Sequence, residues 1–160
     1  MGLEIERKFL VASDAWRIGA TGEAYCQGYL SQYPSPTVRV RTQGKKSFLT
    51  IKGKSNNISR PEFEYEIPFD EAQELQRLCV KPLIIKTRYK ILHEGMTWEV
   101  DEFHGENEGL IVAEIELDKP DAIIKLPPWI GQEVSDDPRY CNSNLSIHPF
   151  TRWDASQATQ

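Results

Sequence analysis

Three charged residues at alternate positions, Glu4, Glu6 and Lys8, stand in the opening run Leu-Glu-Ile-Glu-Arg-Lys. Side chains on a β-strand change face at every step, so on a strand all three point the same way. One such strand is ordinarily a solvated face. Here the pattern recurs, and it recurs by sign. Arg39 and Arg41 alternate on one segment with Lys52 on the next, and Lys86, Arg88 and Lys90 form a second basic row. Glu62, Glu64 and Glu66, then Glu99 and Asp101, then Glu114 and Glu116, are acidic rows. Exposed sheet faces usually mix signs across strands. Like charges this close destabilise a fold unless something is bound between them. A polyanion satisfies the basic rows, and divalent metal ions satisfy the carboxylates. A phosphate chain with its metals needs both. The phosphate-cradling pattern G-x-x-x-x-G-K-[ST] does not occur, so side chains must hold the phosphates.

The elements that position these residues are mostly strands. Period-two alternation runs through residues 3–10, 24–32, 37–42, 46–52, 62–68, 83–93, 97–103 and 110–117. On 24–32, Tyr25, Gln27 and Tyr29 share a face. The period changes over 70–80, where Ala72, Leu75, Leu78 and Cys79 recur at helical spacing, with Asp70 and Gln73 as a variant capping box and Pro82 beyond the end. Short helical turns are expected after Ser13, over 120–126 and over 142–147. Pro34, Ser35 and Pro36 mark a turn, 53–59 reads as a polar loop, and the last residues as a tail.

About eight strands joined by short turns predict an α+β, mainly β fold: an antiparallel sheet able to close into an eight-stranded barrel with a few peripheral helices. In an ordinary small barrel the apolar face fills the interior. The opposite arrangement suits this chain. The apolar faces carry Phe9, Val38, Val40, Ile51, Phe63, Tyr65, Ile85, Tyr89, Trp98 and Ile115. They can pack outward against the helices and the C-terminal segment, leaving a charged tunnel inside.

The chain's 160 residues suit one domain, and a net charge of −5 argues against steering of nucleic acid or an anionic membrane. Cys26, Cys79 and Cys141 show neither a disulfide framework nor a zinc motif, which fits a reducing cytoplasm. No signal peptide or membrane-spanning run is evident. His93, His104 and His148 lack metal-like spacing, and Trp16, Trp98, Trp129 and Trp153 read as packing residues.

With these residues in view, the chain resembles the CYTH superfamily of triphosphate tunnel metalloenzymes. Glu4-Ile5-Glu6-Arg7-Lys8 matches its ExExK signature. Gln27-Gly28-Tyr29-Leu30, Thr37-Val38-Arg39-Val40-Arg41, Lys52, residues 60–67, Lys86-Thr87-Arg88-Tyr89, Trp98-Glu99-Val100-Asp101 and Glu114-Ile115-Glu116 follow in the family's order. Glu133-Val134-Ser135, Arg139-Tyr140 and residues 142–145 resemble its C-terminal pattern. The resemblance implies a single tunnel domain over residues 1–150, with a tail over 151–160. It implies action on a triphosphate-containing small molecule with Mg²⁺ or Mn²⁺, two ions per site. The short opening looks most like bacterial inorganic triphosphatases, which implies cleavage of tripolyphosphate to pyrophosphate and phosphate. Class IV adenylate cyclase and nucleoside or thiamine triphosphatase are the alternatives within the fold. The cyclases' His-Phe pair ahead of ExExK is missing. A polyphosphate- or nucleotide-binding module without turnover is the alternative of another class. A homodimer is compatible with the sequence.

The expected metal ligands are Glu4, Glu6, Glu114 and Glu116, supported by Glu62 and Glu64. Asp101 is preferred to Glu99, and Glu66 belongs at the rim. Arg39, Arg41, Lys52 and Arg88 are the expected phosphate ligands, with Lys86 and Lys90 as helpers. Lys8, the odd cation in an acidic row, is expected to bind substrate and act in catalysis, by orienting water or protonating a leaving oxygen. Tyr29 shares the inward parity of its strand. It acts with Lys8 or serves as a hydrogen-bonded core tyrosine.

Overall fold

The computed structural model describes residues 3–32, 36–54 and 58–153. Its strands are β1 Leu3–Val11, β2 Gly22–Ser31, β3 Thr37–Gln43, β4 Lys46–Lys52, β5 Ser59–Glu66, β6 Ile84–His93, β7 Met96–Phe103, β8 Ile111–Glu116 and β9 Ile130–Glu133. The α-helices are α1 Phe69–Arg77 and α2 Asn142–Leu145, joined by four single turns of 3₁₀ helix. Eight strands close into an antiparallel barrel in the order β5-β4-β3-β2-β6-β7-β8-β1. The closing pair is β1 with β5, through Leu3 opposite Pro61, Glu4 opposite Arg60 and Ile5 opposite Ser59. That pairing is brief. Further along the same edge β1 takes β9 as its partner, with Phe9 opposite Glu133 and Val11 opposite Ile130.

The charged barrel expected from the alternation is present, and its apolar faces point outward. Ile5, Phe9, Trp98, Val100, Ala113 and Ile115 pack outside β1, β7 and β8 with Trp16 and Trp129. Around the barrel, α1 covers β2, β3 and β4. There Ala72 and Cys79 meet Val40, with Leu30, Leu49, Ile67, Leu75 and Leu83 around them. A Cβ on Gly28 would lie 2.6 Å from Leu83 Cδ2 and 2.8 Å from Cys79 Cβ. Only glycine lets the segment after α1 approach β2 this closely. The β6–β7 hairpin turns at Glu94 and Gly95, both at positive φ (51° and 77°). This is the backbone that a two-residue primed turn requires.

Two local expectations fail. Residues 120–126 form no helix. The segment opens on a single turn, Ala122 N–H donating to the Lys119 carbonyl at 3.2 Å, and then runs without helix, with Ala122 and Ile124 turned onto the outer core and Ile123 left exposed. Pro127 and Pro128 lack the N–H groups that would bond back to the carbonyls of residues 123 and 124, while period-two packing needs no helical bonds. The capping box at α1 does not form. Pro68 is the N-cap residue, and Asp70 Oδ1 accepts instead from the Glu71 amide at 3.0 Å. The strand β9 was not expected. The turn at Pro34 and Ser35 and the middle of the 53–59 loop, residues 55–57, lie outside the described residues. So do residues 154–160 of the tail. Its first residues belong to the fold: Thr151 and Arg152 complete a 3₁₀ turn, and Trp153 packs edge-on against Tyr140 and Phe150.

One apolar cluster lies inside the barrel rather than outside it. Leu10, Ile84, Phe103 and Val112 follow the inward rows of β1, β6, β7 and β8 past their last charges. Tyr29 joins them, and Val134, Tyr140 and Leu145 of the C-terminal segment pack on the same cluster. They plug one end of the barrel.

Candidate active site

Burial along the inward rows of β6, β7 and β8 shows a cup with a mouth and a floor. On β8, Glu116 is exposed, Glu114 buried and Val112 part of the plug. On β7 the same order runs Glu99, Asp101, Phe103, and on β6 Lys90, Arg88, Lys86, Ile84. On β1 the row runs Glu4, Glu6, Lys8 and then Leu10 of the plug. Glu4 is itself buried, so on β1 it is the next inward residue, Leu10 of the plug, that places Lys8 at the floor. The cup has a volume of about 150 Å³.

The wall is a set of interlocked ion pairs. Glu4 accepts two hydrogen bonds from Lys52 Nζ, at 2.9 and 3.1 Å, and Glu62 lies 3.7 Å from the same ammonium. Lys8 Nζ is 3.7 Å from Glu6, 3.9 Å from Glu114 and 4.0 Å from Cys141 Sγ. The Lys8 backbone is pinned by β9's end: its N–H donates to Ser135 Oγ at 2.9 Å, and its carbonyl accepts from Val134 at 2.8 Å. Arg39 donates to Thr50 Oγ1 at 3.2 Å and Arg41 to Glu64 at 3.1 Å. The Nε–H groups of both arginines are buried without a partner among the described residues. The Arg41 and Arg88 guanidinium groups lie over the Tyr25 ring, 5.3 and 5.0 Å from its centre.

Asp101 anchors the β6 cations. It accepts from Arg88 Nε at 2.7 Å, from an Arg88 terminal nitrogen at 2.8 Å and from Lys86 Nζ at 2.8 Å. Arg88 also donates to Glu114 at 3.1 Å and to Glu99 at 3.3 Å, and Lys86 to Asn142 Oδ1 at 3.1 Å. Tyr29 is buried at the floor, and its phenol oxygen accepts from Gln27 Nε2 at 3.1 Å.

These contacts set the ionisation of the site. Burial favours the neutral carboxyl at Glu4, but the Lys52 ammonium outweighs it and lowers the pKa. Burial and a neighbouring carboxylate, Glu6, raise Glu114, and burial with Glu4 raises both Glu62 and Glu116. At Lys8 burial opposes the charge, but Cys141, Glu6 and Glu114 together raise the pKa, so the ammonium persists. Burial lowers Lys86 to about 8 against the pull of Asp101. It also raises the Tyr29 phenol, which stays neutral.

The cup gathers most of the residues expected from sequence. Glu4, Glu6, Lys8, Tyr29, Arg39, Arg41, Lys52, Glu62, Glu64, Lys86, Arg88, Glu114 and Glu116 all line it. Two expected residues do not. Lys90 is exposed at the mouth end of β6, one inward step beyond Arg88. Asp101 is 1% exposed beneath Lys86 and Arg88, with both oxygens engaged. It holds cations in place and does not face the cavity. Arg60, Thr37, Cys141, Asn142 and Ser143 also line the cup without having been singled out. Arg60 carries a signal in the sequence, since it shares the parity of Glu62 and Glu64. The residues at 141–143 carry no period-two signal, because they belong to a turn and the start of α2 rather than to a strand, and only the family resemblance over 142–145 points to Asn142 and Ser143.

No three acidic, histidine or cysteine side chains form a ready metal cage among the described residues. Two carboxylate pairs do converge, Glu6 with Glu114 around Lys8 and Glu4 with Glu62 around Lys52. That donor set fits Mg²⁺ or Mn²⁺, which are commonly held by one or two carboxylates together with substrate phosphates.

Comparison with known proteins agrees with this geometry. The family model described as "CYTH domain" matches residues 2–141. An inorganic triphosphatase of Acetivibrio thermocellus is 56% identical over 151 residues, covering 94% of this chain and 97% of the relative. An inorganic triphosphatase of Nitrosomonas europaea is 36% identical over 153 residues, covering 90% of this chain and 97% of the relative. The solved structure of the inorganic triphosphatase NE1496 superposes with a TM-score of 0.65 at 35% identity, covering 90% of this chain and 94% of that one. A resemblance first read from alternating charges thus extends over nearly the whole chain, which belongs to the CYTH family.

Proposed function

We propose that this protein is a metal-dependent triphosphatase that cleaves inorganic tripolyphosphate to pyrophosphate and orthophosphate. The observation that carries the choice of substrate is the lining of the cup. Its walls are charged or polar, and Tyr29, at the floor, is the one aromatic ring on them among the described residues. A nucleobase or thiamine ring needs an apolar or aromatic face, and beyond Tyr29 the described wall offers none. Two relatives named inorganic triphosphatase, at 56% and 36% identity, support the same reading.

The roles follow from the cup's layers. A linear triphosphate enters end-on, with its far end guided by Arg41 and Arg88 near the mouth. Arg39, Lys52 and Lys86 hold the phosphates deeper in, and the arginines can do so bidentately. The end phosphate reaches Lys8, whose raised pKa keeps it an ammonium that offsets charge on the phosphoryl group being transferred. Tyr29 accepts from Gln27, so its own proton is free to be donated into the cavity. Asp101 holds Arg88 and Lys86 for this task. Glu6 with Glu114 and Glu4 with Glu62 would hold up to two divalent ions, with Glu64 and Glu116 in support. When bound, the metal supplies positive charge for the phosphate oxygens and lowers the pKa of a water aimed at phosphorus.

The test is a substrate panel. Purified protein is incubated with tripolyphosphate, ATP and thiamine triphosphate, with Mg²⁺, with Mn²⁺ and with a chelator, while orthophosphate and cyclic AMP are measured. Metal-dependent release from tripolyphosphate, with little from ATP, is expected. Cyclic AMP formation from ATP would move the protein to the cyclase branch, and absence of turnover with retained tripolyphosphate binding would make it a binding module.

A further inference from the structure

A blind cup poses a difficulty for product release, and the wall of this barrel contains an answer. The phosphate removed from a substrate that entered end-on is freed at the floor beside Lys8. Pyrophosphate then stands between it and the mouth, and Leu10, Ile84, Phe103 and Val112 seal the floor below.

The wall has one weak seam. β1 pairs with β5 only as far as Ile5 opposite Ser59 and with β9 only from Phe9 onward. Between those two pairings the strand edge is bridged by one hydrogen bond on the β5 side, from Glu6 N–H to the Ile58 carbonyl at 3.2 Å, and by two at Lys8 on the β9 side, from its N–H to Ser135 Oγ at 2.9 Å and from Val134 N–H to its carbonyl at 2.8 Å. Where β5 and β9 diverge, a second cavity of about 50 Å³ opens. It shares Glu4, Glu6, Lys8, Arg60 and Cys141 with the cup, so the two are continuous. Among the described residues its outer wall is Ile58 and Ser135, both only half-buried. A single water needs roughly 10–15 Å³ of such space, so this cavity takes a few waters or one orthophosphate in their place, and not a chain.

The charges suit that occupant. Glu4 is already engaged by Lys52, and Glu6 by Lys8. The Arg60 backbone pairs with Glu4, and its guanidinium lies near enough to help lower the Glu4 pKa, but the side chain makes no ion pair or hydrogen bond among the described residues. It stands at the junction of the two cavities with a planar fork that matches phosphate oxygens.

We propose that orthophosphate is received by Arg60 and Lys8 in this side cavity and leaves through the seam between β5 and β9, independently of pyrophosphate. This rests on the triphosphatase reading above. It predicts that the two products leave in either order and that orthophosphate can bind while pyrophosphate fills the cup.

Two measurements test it. With saturating pyrophosphate and metal present, orthophosphate binding to the wild-type protein is followed by phosphorus NMR. Retained binding is expected, and strict competition between the two products overturns the proposal. Rapid-quench formation of orthophosphate is then compared with its release, reported by a fluorescent phosphate sensor, in wild type, Ile58→Trp and Ile58→Ala. The tryptophan enlarges the outer wall of the side cavity and replaces no residue of the cup. It should leave first-turnover formation unchanged and slow release at least tenfold, so that a burst appears, while the alanine variant releases at least as fast as wild type. Release unchanged in Ile58→Trp, or slowed alike in both variants, overturns the proposal. A wild-type protein that forms no orthophosphate from tripolyphosphate would instead overturn the functional reading beneath it.

Discussion

At the scale of single residues, Asp101 and Lys86 behave differently from the rows they belong to. Both oxygens of Asp101 are engaged, and Arg88 and Lys86 hold its carboxyl well below the usual range. Its contribution to stability is therefore present above the ordinary carboxylate pKa and is lost only in acid. Asp101→Asn leaves two buried cations without their anion. Breaking a buried pair in this way costs about 3–5 kcal/mol. Urea unfolding should show a loss toward the lower end, because Lys86 can shed its proton. The wild-type Lys86 titrates near 8 rather than at its ordinary 10.5. Charging it costs the folded protein stability below pH 8, and that cost fades as pH rises from 8 to 10.5. A polyanion beside Lys86 favours the ammonium and raises its pKa. Tripolyphosphate binding measured at pH 9 should therefore take up a proton, and affinity should fall as pH rises past 8. Calorimetry in two buffers of different ionisation enthalpy counts that proton, and Lys86→Arg should abolish it. No uptake by the wild type would refute the assignment.

At the scale of elements, strand alternation was a reliable guide because each strand has one wet, charged face and one apolar face. A one-residue slip would exchange them completely, so the pattern is strongly enforced. Glu4, Glu6 and Lys8, or Arg39 and Arg41, could be assigned to the cup from parity alone. Parity gave less where the barrel tapers. Lys90 and Arg88 have the same parity, yet Lys90 has already left the cavity. The position of an inward residue along the barrel axis depends on strand tilt and stagger, which no single strand encodes. The segment 120–126 and β9 were missed for a related reason, since their conformation is set by the barrel face they cover rather than by their own periodicity. Gly28 is a position where the requirement is steric. Gly28→Ala drives a Cβ into Leu83 and Cys79, and overpacking of this kind typically costs about 1–3 kcal/mol. A thermal melt should fall by several degrees. An unchanged melting temperature would mean that the segment after α1 can move away freely.

At the scale of the whole molecule, the fold inverts the usual division of a small barrel. The apolar material lies outside, beneath α1, the 3₁₀ turn at Trp16 and the extended segment before Trp129. The charges lie inside, neutralised pairwise. The C-terminal segment then adds what the strands cannot, an apolar stopper built from Tyr140 and Leu145. Leu145 is fully buried in that stopper. Leu145→Ala should destabilise the protein by about 2–5 kcal/mol, as cavity-forming leucine truncations do. Urea unfolding measures this, and a loss below 1 kcal/mol would mean that the floor closes without it.

A well with a solid floor reads topology as well as charge. From the mouth, Lys8 can be reached only by something that comes to a point, so a substrate must present a free terminus. A ring of three phosphates, trimetaphosphate, has the same number of phosphorus atoms as the linear chain but no terminus to lower to the floor. It should bind at the rim, if at all, and should resist cleavage under conditions in which linear tripolyphosphate is consumed.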